Sequence, residues 1–463
     1  MQRADTIDQA LERFDSGELF AELARRVAHR TESNLSAGHP RLRAYLTDEL
    51  APALEALGCR TRVAENPVAP ECPLLVATRH ESADRPTVLL YGHGDVVNGE
   101  APRWREGLDP WTLIAEGERW YGRGSADNKG QHTLNLFALR EVLRARGQLG
   151  FNLVVLIETG EERGSPGLVE VCGQLRDELR ADVLIASDGP RVRADLPTLF
   201  LGSRGVTQFT LTADLRPRDH HSGNWGGVLR NAATTLAAAI TSLVDGRGRI
   251  LVPGLRPPVI PASVRDALAT VPVGGGADDP AVDEGWGEPE LTPAERLFGW
   301  NTVEVLAFLA GTPSSPVNAI PGRAEATLQL RSVVGTDLAG LEPALRKHLA
   351  EHGFPMVDVA VTESRPPTRT DPDHPWVRWA ADSVARTTGS APVLLPNLGG
   401  TIPNDAFAEI LGLPTIWLPH SYPACAQHAP DEHLLAPLAR EAVAIMTGLF
   451  WDLGEKDTAP GPA

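Results

Sequence analysis

Three short apolar runs in this chain each stop at a cluster of polar side chains, and that repeated arrangement narrows the folds open to it. Thr87–Tyr91 (TVLLY) leads into Gly92-His93-Gly94-Asp95, Phe151–Ile157 (FNLVVLI) ends before Glu161 and Glu162, and Ala181–Ala186 (ADVLIA) ends before Asp188. Apolar runs of this length read as buried strands. Between the second and third, Leu168, Val171, Cys172, Leu175 and Leu179 mark one face of a helix over Gly167–Arg180. After Asp127 the same period returns in Leu134, Phe137, Ala138 and Val142. Strands alternating with amphipathic helices predict an α/β unit with a mostly parallel sheet, its polar clusters gathered beyond the carboxyl ends of the strands.

Those clusters share one chemistry. In chain order they are His93 with Asp95, Asp127, the doublet Glu161 and Glu162, Asp188, and the distant His428. Neutral imidazoles and carboxylates suit a pair of divalent ions such as Zn²⁺; one carboxylate can bridge two ions, and one left unligated can act as a base. Their spacing is too wide for a zinc finger or a single loop, so a fold must bring them together.

The middle of the chain has another texture. Phe209, Leu211, Ala213 and Leu215 alternate with polar residues, as do Ala324, Ala326, Leu328 and Leu330, which is the pattern of strands with one wet face. Helical segments over Asn231–Val244 and Leu338–His352 and a further strand at Val357–Val361 complete an α+β unit. It interrupts the first unit, which resumes with a helix over Trp376–Arg386 and the run Thr415–Leu418. The predicted division is therefore 1–202 and 371–463 for a catalytic domain in two parts, with a lid at 203–370. Val273–Glu290, rich in Gly, Pro and Asp, reads as a surface loop.

Composition fits this plan. A chain of 463 residues exceeds the roughly 250 to 300 residues at which single cores stop growing. Its 43 Lys+Arg against 60 Asp+Glu leave a net charge of −17, which argues against nucleic acid or an anionic membrane as partner. Met1–Phe20 has neither the apolar core of a secretory signal nor an anchor, and Cys59, Cys72, Cys172 and Cys425 show no paired spacing. A cytoplasmic enzyme with free thiols is expected.

Longer strings make a resemblance specific. Tyr-Gly-His-Gly-Asp (91–95), Tyr-Gly-Arg-Gly-Ser-Ala-Asp-Asn-Lys-Gly (121–130), Thr-Gly-Glu-Glu (159–162), Ser-Asp-Gly (187–189) and Gln-His-Ala-Pro-Asp-Glu (427–432) resemble the co-catalytic zinc metallopeptidase family. That family includes carnosine-type dipeptidases, glutamate carboxypeptidases, aminoacylases and succinyl-diaminopimelate desuccinylase. Asp219-His-His-Ser-Gly, Ile250-Leu-Val-Pro-Gly and Ile320-Pro-Gly-Arg-Ala look most like the dipeptidase branch.

The resemblance implies a zinc-peptidase-like catalytic domain interrupted by a ferredoxin-like lid that also dimerises. It implies two divalent ions, Zn²⁺ or else Mn²⁺ or Co²⁺, one held by His93 and Asp188 and the other by Glu162 and His428. Asp127 would bridge both together with a water or hydroxide, and its peptide bond to Asn128 would be cis. Asp95 would orient His93, and Glu161 would be the general base. Arg331 would grip a substrate carboxylate, with Asn318, Gly399, Gly400 and Thr401 as further substrate contacts, while His221 would reach into the neighbouring subunit of a homodimer.

Two departures bear on the substrate. Pro419-His-Ser-Tyr-Pro-Ala-Cys-Ala-Gln-His428 differs from the dipeptidase pattern and adds His420 and Cys425, and Asp219-His220-His221 has a His where relatives carry an apolar residue. The expected activity is hydrolysis of an amide C–N bond beside a free carboxylate, most simply in a dipeptide. The alternatives are an N-acyl-amino-acid deacylase or desuccinylase, or a non-catalytic homologue that binds peptides.

Overall fold

A computed structural model describes residues 2–35, 39–274, 280–456 and 459–460. The twelve strands of its two main sheets are β1 (Arg60–Ala64), β2 (Leu74–Arg79), β3 (Thr87–His93), β4 (Asn152–Glu158), β5 (Val183–Ala186), β6 (Thr198–Phe200), β7 (Gly205–Asp214), β8 (Thr302–Leu309), β9 (Arg323–Ser332), β10 (Val357–Arg365), β11 (Val393–Leu395) and β12 (Thr415–Trp417). Eight form a central sheet in the order β1-β2-β4-β3-β5-β12-β6-β11. Its middle, β4-β3-β5-β12, is parallel, while β1, β2 and the β12–β6 junction are antiparallel.

The unbroken apolar runs follow from burial on both faces. Val88, Leu90, Leu153, Val155 and Ile157 point into one core, shared with helices Lys129–Arg146, Pro375–Thr388 and Ala436–Leu453. Leu89, Tyr91, Val154 and Leu156 point into another on the opposite face. The helix expected over Gly167–Arg180 spans only Leu168–Gln174. Beyond it the chain tightens, Glu178 N–H donating to Leu175 O, and Leu179 still enters the core.

The lid sheet has the order β8-β9-β7-β10, antiparallel throughout. Phe209, Leu211, Ala213, Ala326, Leu328 and Leu330 pack one face beneath helices Ala232–Leu243 and Leu341–Glu351. Asn231 caps the first of these, its Oδ1 accepting from Ala233 N at 2.8 Å. The wet face carries Thr302, Arg331, Val206 and Arg365 in one row and Glu304, Gln329, Gln208 and Glu363 in the next.

Three features escaped the pattern of the sequence. Strand β8 does not alternate, because it is an edge strand buried only at Val303, with Leu306, Phe308 and Leu309 exposed. Helices Arg3–Asp15 and Glu18–Ala28 dock Phe14, Leu19, Leu23 and Val27 against Phe137, Ala442 and Val443. Helices Ala262–Leu268 and Pro293–Phe298, although between lid strands in sequence, place Val264, Leu268, Ala294 and Phe298 in the catalytic core with Ile402 and Trp417. Of the loop expected at Val273–Glu290, residues 275–279 lie outside the described residues and the remainder carries neither helix nor strand. All four cysteines are free and buried. No helix among the described residues is long and apolar enough to cross a membrane.

Candidate metal centre

The parallel strands deliver the polar clusters to one place. His93 is the last residue of β3, Glu161 and Glu162 sit in a single 3₁₀ turn three residues past β4, and Asp188 follows β5 by two. Asp127 lies just before helix Lys129–Arg146, where a tight turn needs glycine: a Cβ on Gly130 would stand 1.8 Å from Ser125 O. The Asp127–Asn128 peptide is cis. His428 arrives from a loop in which Ala426, His428 and Asp431 all adopt left-handed φ of 58° to 64°.

Two donor triads result, His93–Asp127–Asp188 and Asp127–Glu162–His428, each with its ligand atoms within 4.8 Å of one another. Asp127 belongs to both: His93 Nε2 is 3.0 Å from its Oδ1 and His428 Nε2 is 3.1 Å from its Oδ2. Glu162 lies 3.1 Å from His428, and Asp188 3.8 Å from His93. Glu161 belongs to neither triad, its carboxylate standing 3.9 Å from His93.

Electrostatics give the fit test for a pair of cations. Burial, together with the charges of Asp188, Glu162 and Asp127, pushes the Glu161 carboxyl well above the carboxylate range. Burial and Asp127 raise Glu162 to about 7 and Asp188 to about 6. Hydrogen bonds to Asp127 and Glu162 lift His428 to about 11. Burial works against a charge on His93, yet Asp127 and Asp95 hold it well above its usual value. Four carboxylates crowded in a buried space repel one another, and the imidazoles take protons to relieve them. Two divalent ions would supply that relief directly, and the donors are the oxygens and imidazole nitrogens such ions prefer. The residues fit the group.

The supporting contacts differ in part from expectation. The nearest acceptor for His93 Nδ1 is the backbone carbonyl of Asp95 at 3.1 Å, with the carboxylate at 3.4 Å. That carboxylate also receives the backbone N–H groups of Glu161 and Glu162 at 3.2 and 3.1 Å, so one side chain steadies both the imidazole and the doublet. Sequence reasoning missed Glu432, which is buried and accepts from the N–H groups of Gly124, Ala126 and Asp127, each at 3.0 Å, while pairing with Arg123. It also missed Gln427, whose Nε2 donates to Asp127 Oδ2 at 3.1 Å. Both stand in the 427–432 string beside His428, and that proximity was the available signal.

A cleft of about 320 Å³ opens onto Glu161, Glu162 and His428 and is roofed by Gln329, Arg331, Glu363 and Arg365 of the lid, with Thr401 at its wall. Arg331 donates to Thr401 Oγ1 at 2.8 Å. Gly399 turns its carbonyl to Arg204 Nε at 3.0 Å, and Gly400 has open space where a side chain would stand. His221 and Asn318 are exposed on a two-stranded ribbon, joined through Ser222 N–H and Asn318 O, and do not line the cleft of their own chain. His420 is buried against Ser187, its Nε2 3.1 Å from the hydroxyl, and Cys425 is buried without a disulfide. His132, His374 and His433 hold structural hydrogen bonds to Tyr45, the Trp376 amide and Tyr422 respectively.

Known proteins are similar to this chain in sequence and fold. Over 399 residues, covering 83% of this chain and 84% of the relative, the sequence is 29% identical to the cysteinylglycine-S-conjugate dipeptidase of Corynebacterium striatum. It is 25% identical to the human β-Ala-His dipeptidase over 436 residues, 85% of this chain and 82% of that one. An M20 family metallo-carboxypeptidase from Sulfolobus solfataricus has the same fold, with a TM-score of 0.78 at 24% identity over 94% of this chain and 99% of that one. The Saccharomyces cerevisiae dipeptidase Dug1p superposes with a TM-score of 0.76 at 18% identity, covering 99% of this chain and all of that one. Residues 89–452 match peptidase family M20/M25/M40, and the chain belongs to that family of metal-dependent hydrolases.

Proposed function

We propose that this chain is a dipeptidase using two divalent ions, and that the observation carrying this reading is the pair of donor triads sharing Asp127 beside an unligated Glu161. His93, Asp127 and Asp188 would hold one ion and Asp127, Glu162 and His428 the other. When bound, the ions supply Lewis acidity toward the attacking water and the amide carbonyl. Glu161 takes a proton from that water on its carboxylate and delivers it to the leaving amine nitrogen. Asp95 fixes the doublet and the His93 ring, and Glu432 fixes the backbone of Asp127. Arg331, braced by Thr401, receives the free carboxylate of the substrate in a two-pronged contact an ammonium cannot make.

Dipeptide cleavage is also the activity named for the Corynebacterium and human relatives. On the same footing we propose zinc as the resident ion, a cytoplasmic location, 1–202 with 371–463 as the catalytic domain, and 203–370 as a lid through which two copies associate, apart from helices Ala262–Leu268 and Pro293–Phe298, which pack in the catalytic core. The exposed apolar edge strand β8 supports the last point, and the outward-facing His221 and Asn318 would then serve the neighbouring copy. The test is a panel of dipeptides and N-acyl amino acids offered to metal-replete protein. Turnover of dipeptides that is lost with a chelator and regained with Zn²⁺ supports the reading, and turnover of N-acyl amino acids alone overturns it.

A further inference from the structure

The roof of the cleft holds two arginines, of which Arg331 alone makes a side-chain hydrogen bond among the described residues. Arg331 and Arg365 stand opposite Val206 from either side, in one row on one face of three adjacent strands. Two strand spacings separate their backbones by roughly 10 Å, and Val206 between them lines the same cleft. Arg331 is braced by Thr401. Arg365 has no ion pair and no side-chain hydrogen bond among the described residues, although its charge reaches the largely buried carboxylate of Asp405. Its guanidinium lies over the turn that carries the Glu doublet, 3.4 Å from where a Cβ on Gly164 would stand, yet it forms no ion pair with Glu161 or Glu162. Glu363, two residues earlier on the same face, also lines the cleft, and its charge acts on Arg331.

We infer that Arg365 is a second anion-binding side chain of the cleft, and that the preferred substrate carries two carboxylates on its carboxyl-terminal half, as an aspartyl or glutamyl residue does. This rests on the proposed dipeptidase reading. With Arg331 on the free terminal carboxylate, Arg365, in line with it across Val206, would face the side chain of that same residue. A guanidinium fork with no hydrogen-bonded partner is suited to a carboxylate and poorly matched by a neutral amide.

The experiment compares Gly-Glu with its isostere Gly-Gln on metal-replete protein, and free glutamate with glutamine by calorimetry. The wild type is expected to favour the acidic member by at least roughly tenfold in kcat/KM and in affinity. Arg365→Gln should bring both ratios close to one at an unchanged Tm, and Arg365→Lys should restore part of the preference. Equal handling of the two ligands by the wild type, or ratios untouched by Arg365→Gln, overturns the assignment of Arg365 while leaving the dipeptidase reading standing. Failure to cleave any dipeptide removes that reading and this one together.

Discussion

Replacing Glu161 by Gln separates the two halves of the proposed mechanism. Glu161 stands in neither donor triad, and its link to Asp95 runs through its backbone N–H, which the substitution keeps. An amide of the same shape cannot accept the proton of the attacking water, so turnover loses the whole contribution of the base. General-base catalysis is worth about 10² to 10⁴ in rate, or roughly 3 to 5 kcal/mol of transition-state stabilisation. Glu162→Gln has another consequence, because Glu162 Oε2 is the oxygen 3.1 Å from His428 in the second triad. The assay pairs elemental analysis after exhaustive dialysis with kcat on a cleaved dipeptide. Glu161→Gln should hold two ions per chain with kcat down at least roughly a hundredfold, and Glu162→Gln should lose one ion. If Glu161→Gln sheds an ion while Glu162→Gln keeps both, the division of roles within the doublet is refuted.

Arg331→Lys should raise KM for carboxylate-bearing substrates about tenfold with a smaller change in kcat, since it gives up the fork and the brace on Thr401; steady-state kinetics showing an unchanged KM would rule out that role. Glu432→Gln leaves Arg123 and three backbone donors facing a neutral amide in a buried space, and should cost about 3 kcal/mol in chemical denaturation and weaken metal binding; a wild-type denaturation midpoint would count against it. Metal affinity should already decline below about pH 11, where His428 holds a proton, and fall more steeply as pH drops through about 7 and then about 6, because Glu162 and Asp188 add protons that a cation must displace; chelator competition giving no steepening over pH 7 to 6 would contradict the electrostatics. Leu306→Lys with Phe308→Lys on the exposed edge strand should yield monomers in sedimentation, and a surviving dimer would place the interface elsewhere.

Much of the site could be read along the chain because catalytic chemistry and strand ends are local properties. An apolar run buried on both faces of a sheet leaves an unmistakable trace in β3, β4 and β5, and the ligand-bearing turns follow those runs within a few residues. The edge strand β8 left no such trace, since a strand packed only at Val303 has no reason to alternate. Helices Ala262–Leu268 and Pro293–Phe298 were equally silent, because which core a short amphipathic segment joins depends on where the chain doubles back.

The candidate donor residues, their order, and the mostly parallel sheet that carries them were therefore legible in the sequence alone: residue chemistry and periodicity need no partner to be recognised. The tertiary structure gave distances to what the resemblance implied, with Asp127 turning one oxygen to each histidine and Glu161 outside both triads while Glu162 is not, and it alone decided that Glu432 clamps the backbone beneath them. It also set Arg365 in line with Arg331 across Val206. These are relations between residues 34 to 305 positions apart, and only the packing of the sheet, the loop around His428 and the lid against one another gives them a distance.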